Sequence, residues 1–322
     1  MTASLPLVNP FAAPGIARGK ARLLAPRADS THDDLYVDVC GSGSAYRAFQ
    51  DDFDLGTVIE HGRMVLVVGD TGCGKTALLN RCLHHMDTIL GGHFDKVVHL
   101  DFVDLIPWAY DPATELKIPE RIELVARELF EQLDQEDALH TGSTALLEKA
   151  LDRSYHFAFH RLNQCLVNGV AVVVHLPTPG EFVDEITAYA YSIRRPRIVY
   201  IAETSSLQTI DYDHLRDKAP SDKAPLVMVK LRLINTEEVH RFLEVRRAAA
   251  HGTGIFPTLA DDCLPILRKC RTIRQLEAIC FKAYQTRLDK NDRYTTDDVI
   301  TQVDVIAAQA AVLTPTTARA EP

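Results

Sequence analysis

No apolar run in these 322 residues approaches the length a membrane-spanning helix needs, so a bilayer protein is not expected. The N-terminus has no basic stretch followed by a long apolar segment, and no secretory leader is expected either. The seven cysteines are odd in number and include no Cys-x-x-Cys pair, which argues for reduced thiols and a cytoplasmic location. Cys82, Cys165 and Cys280 fall among apolar neighbours at helical spacing and read as core residues. Positive charge is not in excess. With a net charge of −9, long-range attraction to nucleic acid is not the default expectation. Two local basic clusters, Arg194-Arg195-Pro196-Arg197 and Arg241 with Arg246-Arg247, read first as solvated faces or interfaces. No internal repeat occurs.

What is present is concentrated in Arg63-Met-Val-Leu-Val-Val-Gly-Asp-Thr-Gly-Cys-Gly-Lys-Thr-Ala-Leu-Leu-Asn80. Met64 to Val68 read as a buried parallel strand. Gly69-Asp70-Thr71-Gly72-Cys73-Gly74-Lys75-Thr76 then fits G-x-x-x-x-G-K-[ST] at every fixed position, and an apolar helical pattern follows from Ala77. Glycines let the backbone bend so that successive N–H groups converge on phosphate oxygens. A helix opening near Lys75 adds the positive end of its dipole. Lys75 is expected on the β- and γ-phosphates and the Thr76 hydroxyl on Mg²⁺. The pattern defines a nucleoside-triphosphate site, and the lack of an Asn/Thr-Lys-x-Asp guanine motif favours ATP. Cys73 lies inside the loop; a small side chain turned away from the nucleotide is a better reading than a redox switch.

Around this motif, residues 1 to about 30 are rich in Pro and Ala and 1–44 read as a segment wrapping the core, with Asp33–Val39 as a short strand and Ser44–Leu55 as a helix. Further strands are expected at Lys96–Phe102, Gly169–Leu176, Arg197–Thr204 and Leu226–Leu231. Between them come helices from Pro119 to about Leu133, from residue 143 to about Leu166, and from Pro179 to Ser192. Strands alternating with helices predict an α/β fold: a five-stranded parallel sheet covered by helices, in a core spanning 45–234. From Thr236, the expected N-cap of a helix, the pattern turns all-helical (Leu259–Leu267, Ile273–Arg287, Thr296–Ala311). This gives a small helical lid over 235–311 and a disordered tail at 312–322.

The motif order resembles that of AAA+ and related STAND-type P-loop ATPases. The lid is most similar to that of origin-recognition-type and TniB- or ExeA-like ATPases. The carrying stretches are Leu231-Arg-Leu-Ile-Asn-Thr-Glu-Glu-Val-His-Arg-Phe-Leu-Glu-Val-Arg246, Arg271-Thr-Ile-Arg274-Gln-Leu-Glu-Ala-Ile and Tyr294-Thr-Thr-Asp-Asp-Val. The resemblance implies that Gly69 to Ala77 (Gly69, Asp70, Thr71, Gly72, Cys73, Gly74, Lys75, Thr76, Ala77) bind ATP with Mg²⁺. It implies that Arg274 reaches the γ-phosphate from the lid, and that Thr204, or Ser205 beside it, orients a water. Arg216 falls where relatives present an arginine finger to a neighbouring subunit. A homo-oligomer that remodels or recruits a macromolecular partner follows, a protein first and DNA second, since no DNA-reading helix-turn-helix is visible.

One departure matters. The third strand ends His175-Leu176-Pro177, where the family carries an Asp-Glu pair for Mg²⁺ and water activation. His175 is a poor Mg²⁺ ligand, because that ion prefers oxygen. Glu203 is the first substitute carboxylate and Asp101, as metal ligand, the second; Asp104 and Glu181 are further candidates. General-base help is worth about 10²–10⁴-fold, so the sequence supports nucleotide binding better than turnover. A non-hydrolysing, nucleotide-bound adaptor is the alternative.

Overall fold

The computed structural model describes residues 6–12, 24–106, 116–178, 182–205, 226–251, 253–290 and 298–313. Its frame is one five-stranded parallel sheet made of β1 (Arg63–Val68), β2 (Lys96–Asp101), β3 (Val170–His175), β4 (Ile198–Thr204) and β5 (Leu226–Lys230). The strand order is β2-β3-β4-β1-β5. In register, Met64 faces Tyr200, Val68 faces Thr204, and Asp101 faces His175. β1, β3 and β4 are buried along nearly their whole lengths, which is why they read as unbroken apolar runs. The edge strands β2 and β5 alternate buried with more exposed positions. Among the described residues no helix is long and apolar enough to cross a membrane.

The chain packs as two compact units that interleave in sequence. One is drawn from residues 46–68 and 82–229, the other from residues 1–45, 69–81 and 230–322.

The first unit holds the sheet. Its core joins Met64, Leu66, Val172, Val174 and Tyr200 to the helices that cover them. α4 (Ile118–Gln135) buries Ile122, Val125, Leu129 and Leu133, the stripe expected from the sequence. Two expected helices are broken. The run from residue 143 to Leu166 divides into α5 (Ser143–Leu151) and α6 (Tyr155–Cys165), because the Ser154 hydroxyl accepts from the Phe157 amide at 3.2 Å and starts a new helix. The run from Ser44 to Leu55 becomes α1 (Ser42–Asp52) and α2 (Leu55–His61). The Asp54 carboxylate caps α2, accepting from the Gly56 amide at 3.2 Å and the Thr57 amide at 2.8 Å. Before β4, the expected helix appears as α7 (Phe182–Thr187) closed by a π-helical turn over Ala188–Ser192.

The second unit has its own core. Phe11 packs its ring 5.3 Å from Tyr284 and 6.1 Å from Phe242, and the Asn9 amide donates to the Phe281 carbonyl at 3.0 Å. Asp33–Val39 is not a strand. Ser30–Leu35 forms a 3-10 helix, because Asp29 accepts from the Thr31 amide and draws the backbone into a turn. Among the described residues four α-helices follow the sheet: α8 (Thr236–Ala250), the short α9 (Leu264–Leu267), the long α10 (Ile273–Lys290) and α11 (Gln302–Leu313). Asn235, not Thr236, is the N-cap of α8, accepting from the amides of Glu237 and Glu238. Glu238 returns the bond to the Asn235 amide and takes a bidentate contact from Arg232 at 2.8 and 2.9 Å. This helical region also contains a parallel pair, β6 (Thr258–Leu259) with β7 (Val299–Ile300), where helix was expected. Two residues per strand are too few for alternation to show in the sequence.

Candidate nucleotide-binding site

The phosphate loop belongs to the second unit, and its shape comes from three glycines. Gly72 and Gly74 have φ of +82° and +98°, backbone states that side chains rarely adopt. A Cβ on Gly69 would lie 2.6 Å from the Cys73 sulfur, so this position is closed to any side chain. The loop is tied by the Cys73 amide donating to the Asp70 carbonyl at 3.2 Å. Cys73 turns inward. It is buried, and burial raises its thiol above the ordinary range, which makes it an inert packing residue.

The helix that follows, α3 (Lys75–Gly91), begins at the lysine itself, so the first-turn amides stand beside the loop. Lys75 Nζ donates to the carbonyls of Gly69 (2.8 Å) and Asp70 (3.1 Å), which centres the ammonium on its own loop. Thr76 and Ala77 follow in the first turn. The N-terminal segment braces this helix. The Tyr36 hydroxyl donates to the Ala77 carbonyl at 2.6 Å, and Arg81 pairs with Asp33 at 3.1 Å while lying 4.9 Å from the Tyr36 ring centre. Asn80 donates to the Leu24 carbonyl at 2.9 Å.

The start of α10 closes on the same loop. The Arg274 amide donates to the Gly72 carbonyl at 3.0 Å. A Cβ on Gly72 would meet Thr272 Oγ1 at 3.1 Å and Arg274 Cβ at 3.2 Å, and one on Gly74 would meet Ile273 at 3.4 Å. Arg274 is therefore brought to the phosphate loop from two hundred residues downstream, with an exposed side chain. Thr272 and Ile273 went unnoticed in the sequence as loop contacts; their position just before Arg274 is the only signal they carry.

The remaining assigned residues lie in the sheet unit, at the C-terminal ends of the strands. Glu203 and Thr204 end β4, opposite Val67 and Val68. Thr204 is buried, and its hydroxyl has no hydrogen-bond partner among the described residues. Asp101 ends β2 beside His175. Its carboxylate lies 3.3 Å from His175 Nδ1 and accepts from the Val103 amide at 3.2 Å. The imidazole at the end of β3 thus has a carboxylate companion supplied by the neighbouring strand. Arg216 and Glu181 lie outside the described residues.

Among the described residues no cluster of three His, Cys, Asp or Glu side chains could hold a metal by itself. Mg²⁺ keeps most of its waters and needs few protein oxygens; the Thr76 hydroxyl, in the first turn of α3, is an oxygen of that kind. The loop suits a polyphosphate. It offers the Lys75 ammonium, the first-turn amides of α3 and two glycines, Gly72 and Gly74, with left-handed backbones.

No family model and no curated protein matches the sequence. Solved structures do. The ORC2 protein of Aeropyrum pernix, in ADPNP-ADP complexes, aligns with a TM-score of 0.50 at 11% identity, over 96% of this chain and 72% of that one. The A. pernix ORC1 protein in complex with DNA gives 0.46 at 16% identity, over 84% and 65%. Domain III of the Thermotoga maritima replication initiation protein DnaA gives 0.44 at 14%, over 88% and 96%. The fold is that of the AAA+ P-loop ATPases, with likeness to the origin-recognition type.

Proposed function

We propose that this chain binds ATP with Mg²⁺ through Gly69–Ala77 and uses Arg274 to couple the γ-phosphate to the position of α10. Binding would then recruit or remodel a macromolecular partner, a protein before DNA, from a homo-oligomer. The observation that carries the reading is the Arg274 amide on the Gly72 carbonyl, which puts the lid arginine's backbone on the phosphate loop. The ADPNP and ADP held by the A. pernix ORC2 protein support the nucleotide class. Lys75 would exchange its two carbonyls for phosphate oxygens, a charge-assisted contact stronger than the ones it leaves. Bound Mg²⁺ would neutralise charge on the β- and γ-phosphates. Glu203 is assigned to water activation and Thr204, with its buried hydroxyl, to water orientation; Asp101 is the second carboxylate. Arg216 is assigned to the site of a neighbouring subunit.

A second reading rests on the end of β3, where His175 stands with Asp101 in place of an Asp-Glu pair. In that reading ATP is held without turnover and stabilises an assembly. ATP binding and phosphate release separate the two. Lys75→Ala should lose about 1.5–3 kcal/mol of contact, roughly 10- to 100-fold in Kd. Glu203→Gln should keep binding and lower phosphate release by about 10²–10⁴-fold. Tight binding with no release from the unmodified protein would select the adaptor. No nucleotide binding at all would end both readings.

A further inference from the structure

The sheet unit contains a second polar site at the other end of its strands. An open cavity of about 300 Å³ is lined by His61, His160, Gln164, Arg194 and Arg195, with Glu60 its one lining carboxylate. His61 lies just before β1 and the two arginines just before β4. From there β1 runs five residue steps to Val68 and β4 six to Thr204, roughly 17–20 Å along the strands.

The lining sets two guanidinium groups against one carboxylate, with Asn163, Gln164, Tyr191 and the histidines able to donate. Arg194 Nη1 is buried and has no hydrogen-bond partner among the described residues. Burial, with Arg63 and Arg195 nearby, holds this guanidinium below the usual arginine range. Arg195 is fixed by donating to the carbonyls of Phe159 (2.9 Å) and Ser192 (3.2 Å). Gln164 Oε1 accepts from Arg161 at 3.0 Å, which leaves its amide nitrogen as the donor for the cavity. Glu60 lies 3.5 Å from His61. In a chain of net charge −9, two adjacent arginines without a carboxylate partner among the described residues need another account than surface solubility.

The turn that carries them is held in a costly shape. Arg197 has φ +65°, and its amide donates to the Val58 carbonyl at 2.8 Å. A Cβ on Gly62 would lie 2.1 Å from the Arg195 carbonyl oxygen, so only glycine lets the turn sit there. Strain of this kind persists where surrounding structure fixes a site in advance. A guanidinium buried in part, with one nitrogen lacking an acceptor, carries an uncompensated positive charge that an anion in the cavity would offset.

We propose that this cavity binds the phosphate of a small phosphorylated metabolite, with Arg194 as its principal ligand and Arg195, Gln164 and the two histidines around it. The guanidinium fork matches phosphate oxygens. The volume is at the lower end for small-molecule pockets, enough for a sugar phosphate. A single concavity also fits a discrete phosphate better than the extended track a nucleic-acid backbone needs.

The test is calorimetric titration of the full-length Lys75→Ala protein, which mutes the phosphate loop, with ribose 5-phosphate, inorganic phosphate and ribose. Both phosphates should bind and ribose should not. Arg194→Gln on that background should weaken binding at least tenfold. Gln164→Glu, at an exposed position that folding tolerates, should do the same by placing a carboxylate among the donors. The proposal is overturned if neither phosphate binds up to about 10 mM, or if both variants bind as well as their parent. It also fails if a short oligonucleotide or an acidic peptide binds through Arg194 while ribose 5-phosphate does not.

Discussion

At the scale of single residues, the phosphate loop is specified by what cannot stand there. Gly72 combines a left-handed backbone with neighbours, Thr272 and Arg274, that would stand 3.1–3.2 Å from any Cβ placed there. Gly72→Ala should cost about 1 kcal/mol from backbone strain. It should also push back the start of α10, so ATP affinity should fall by more than the loss of stability accounts for. Equal ATP affinity in the variant, by titration, would show that the contact at Gly72 plays no part in nucleotide binding. The loop motif itself was fully legible in the sequence, because each fixed position has its own stereochemical reason. Thr272 and Ile273 were not legible as its neighbours. Nothing in a local pattern reports a contact made across two hundred residues.

At the scale of elements, continuous apolar runs predicted β1, β3 and β4 well, since a strand buried on both faces leaves no other pattern. Breaks were harder. Leucine and phenylalanine spacing runs on through Asp152–Ser154, and only the Ser154 cap divides α5 from α6. Asp33–Val39 alternates like a strand, yet the Asp29 side chain turns the chain first. Asp54 shows how much one cap decides. Its hydrogen bonds to the Thr57 hydroxyl and amide hold its carboxyl below the usual carboxylate value, although the group is exposed. A lowered value means that the charged cap favours the folded state above pH 3.8, and that this preference is lost as pH falls through the folded value beneath it. Asp54→Ala should cost about 1 kcal/mol near neutrality, with the gap to the unmodified protein closing in acid. Asp54→Asn, which can still accept, should keep most of the cap at both pH values. Denaturant unfolding across pH would check this, and a gap that persists in acid would contradict it.

At the scale of the whole molecule, the sequence predicted an α/β sheet followed by helices, and that order is what the chain folds into. What it could not reveal is that the phosphate loop packs with residues from both ends of the chain. ATP should therefore slow amide exchange chiefly in 69–81 and around Thr272–Leu276, with less change in the central strands β3 and β4. At a ligand concentration of 100 times Kd the stabilisation should approach about 2.7 kcal/mol. Uniform protection, or none, would show that nucleotide does not act through this unit.

That packing also sets an order in time. Once residue 229 has left the ribosome, every segment of the sheet unit has been made. Thr272, Ile273 and Arg274 have not. A nascent chain can thus gather its strands while its phosphate loop still lacks the residues that close on Gly72. The contact that closes α10 on Gly72 can form only after every strand of the sheet has been made.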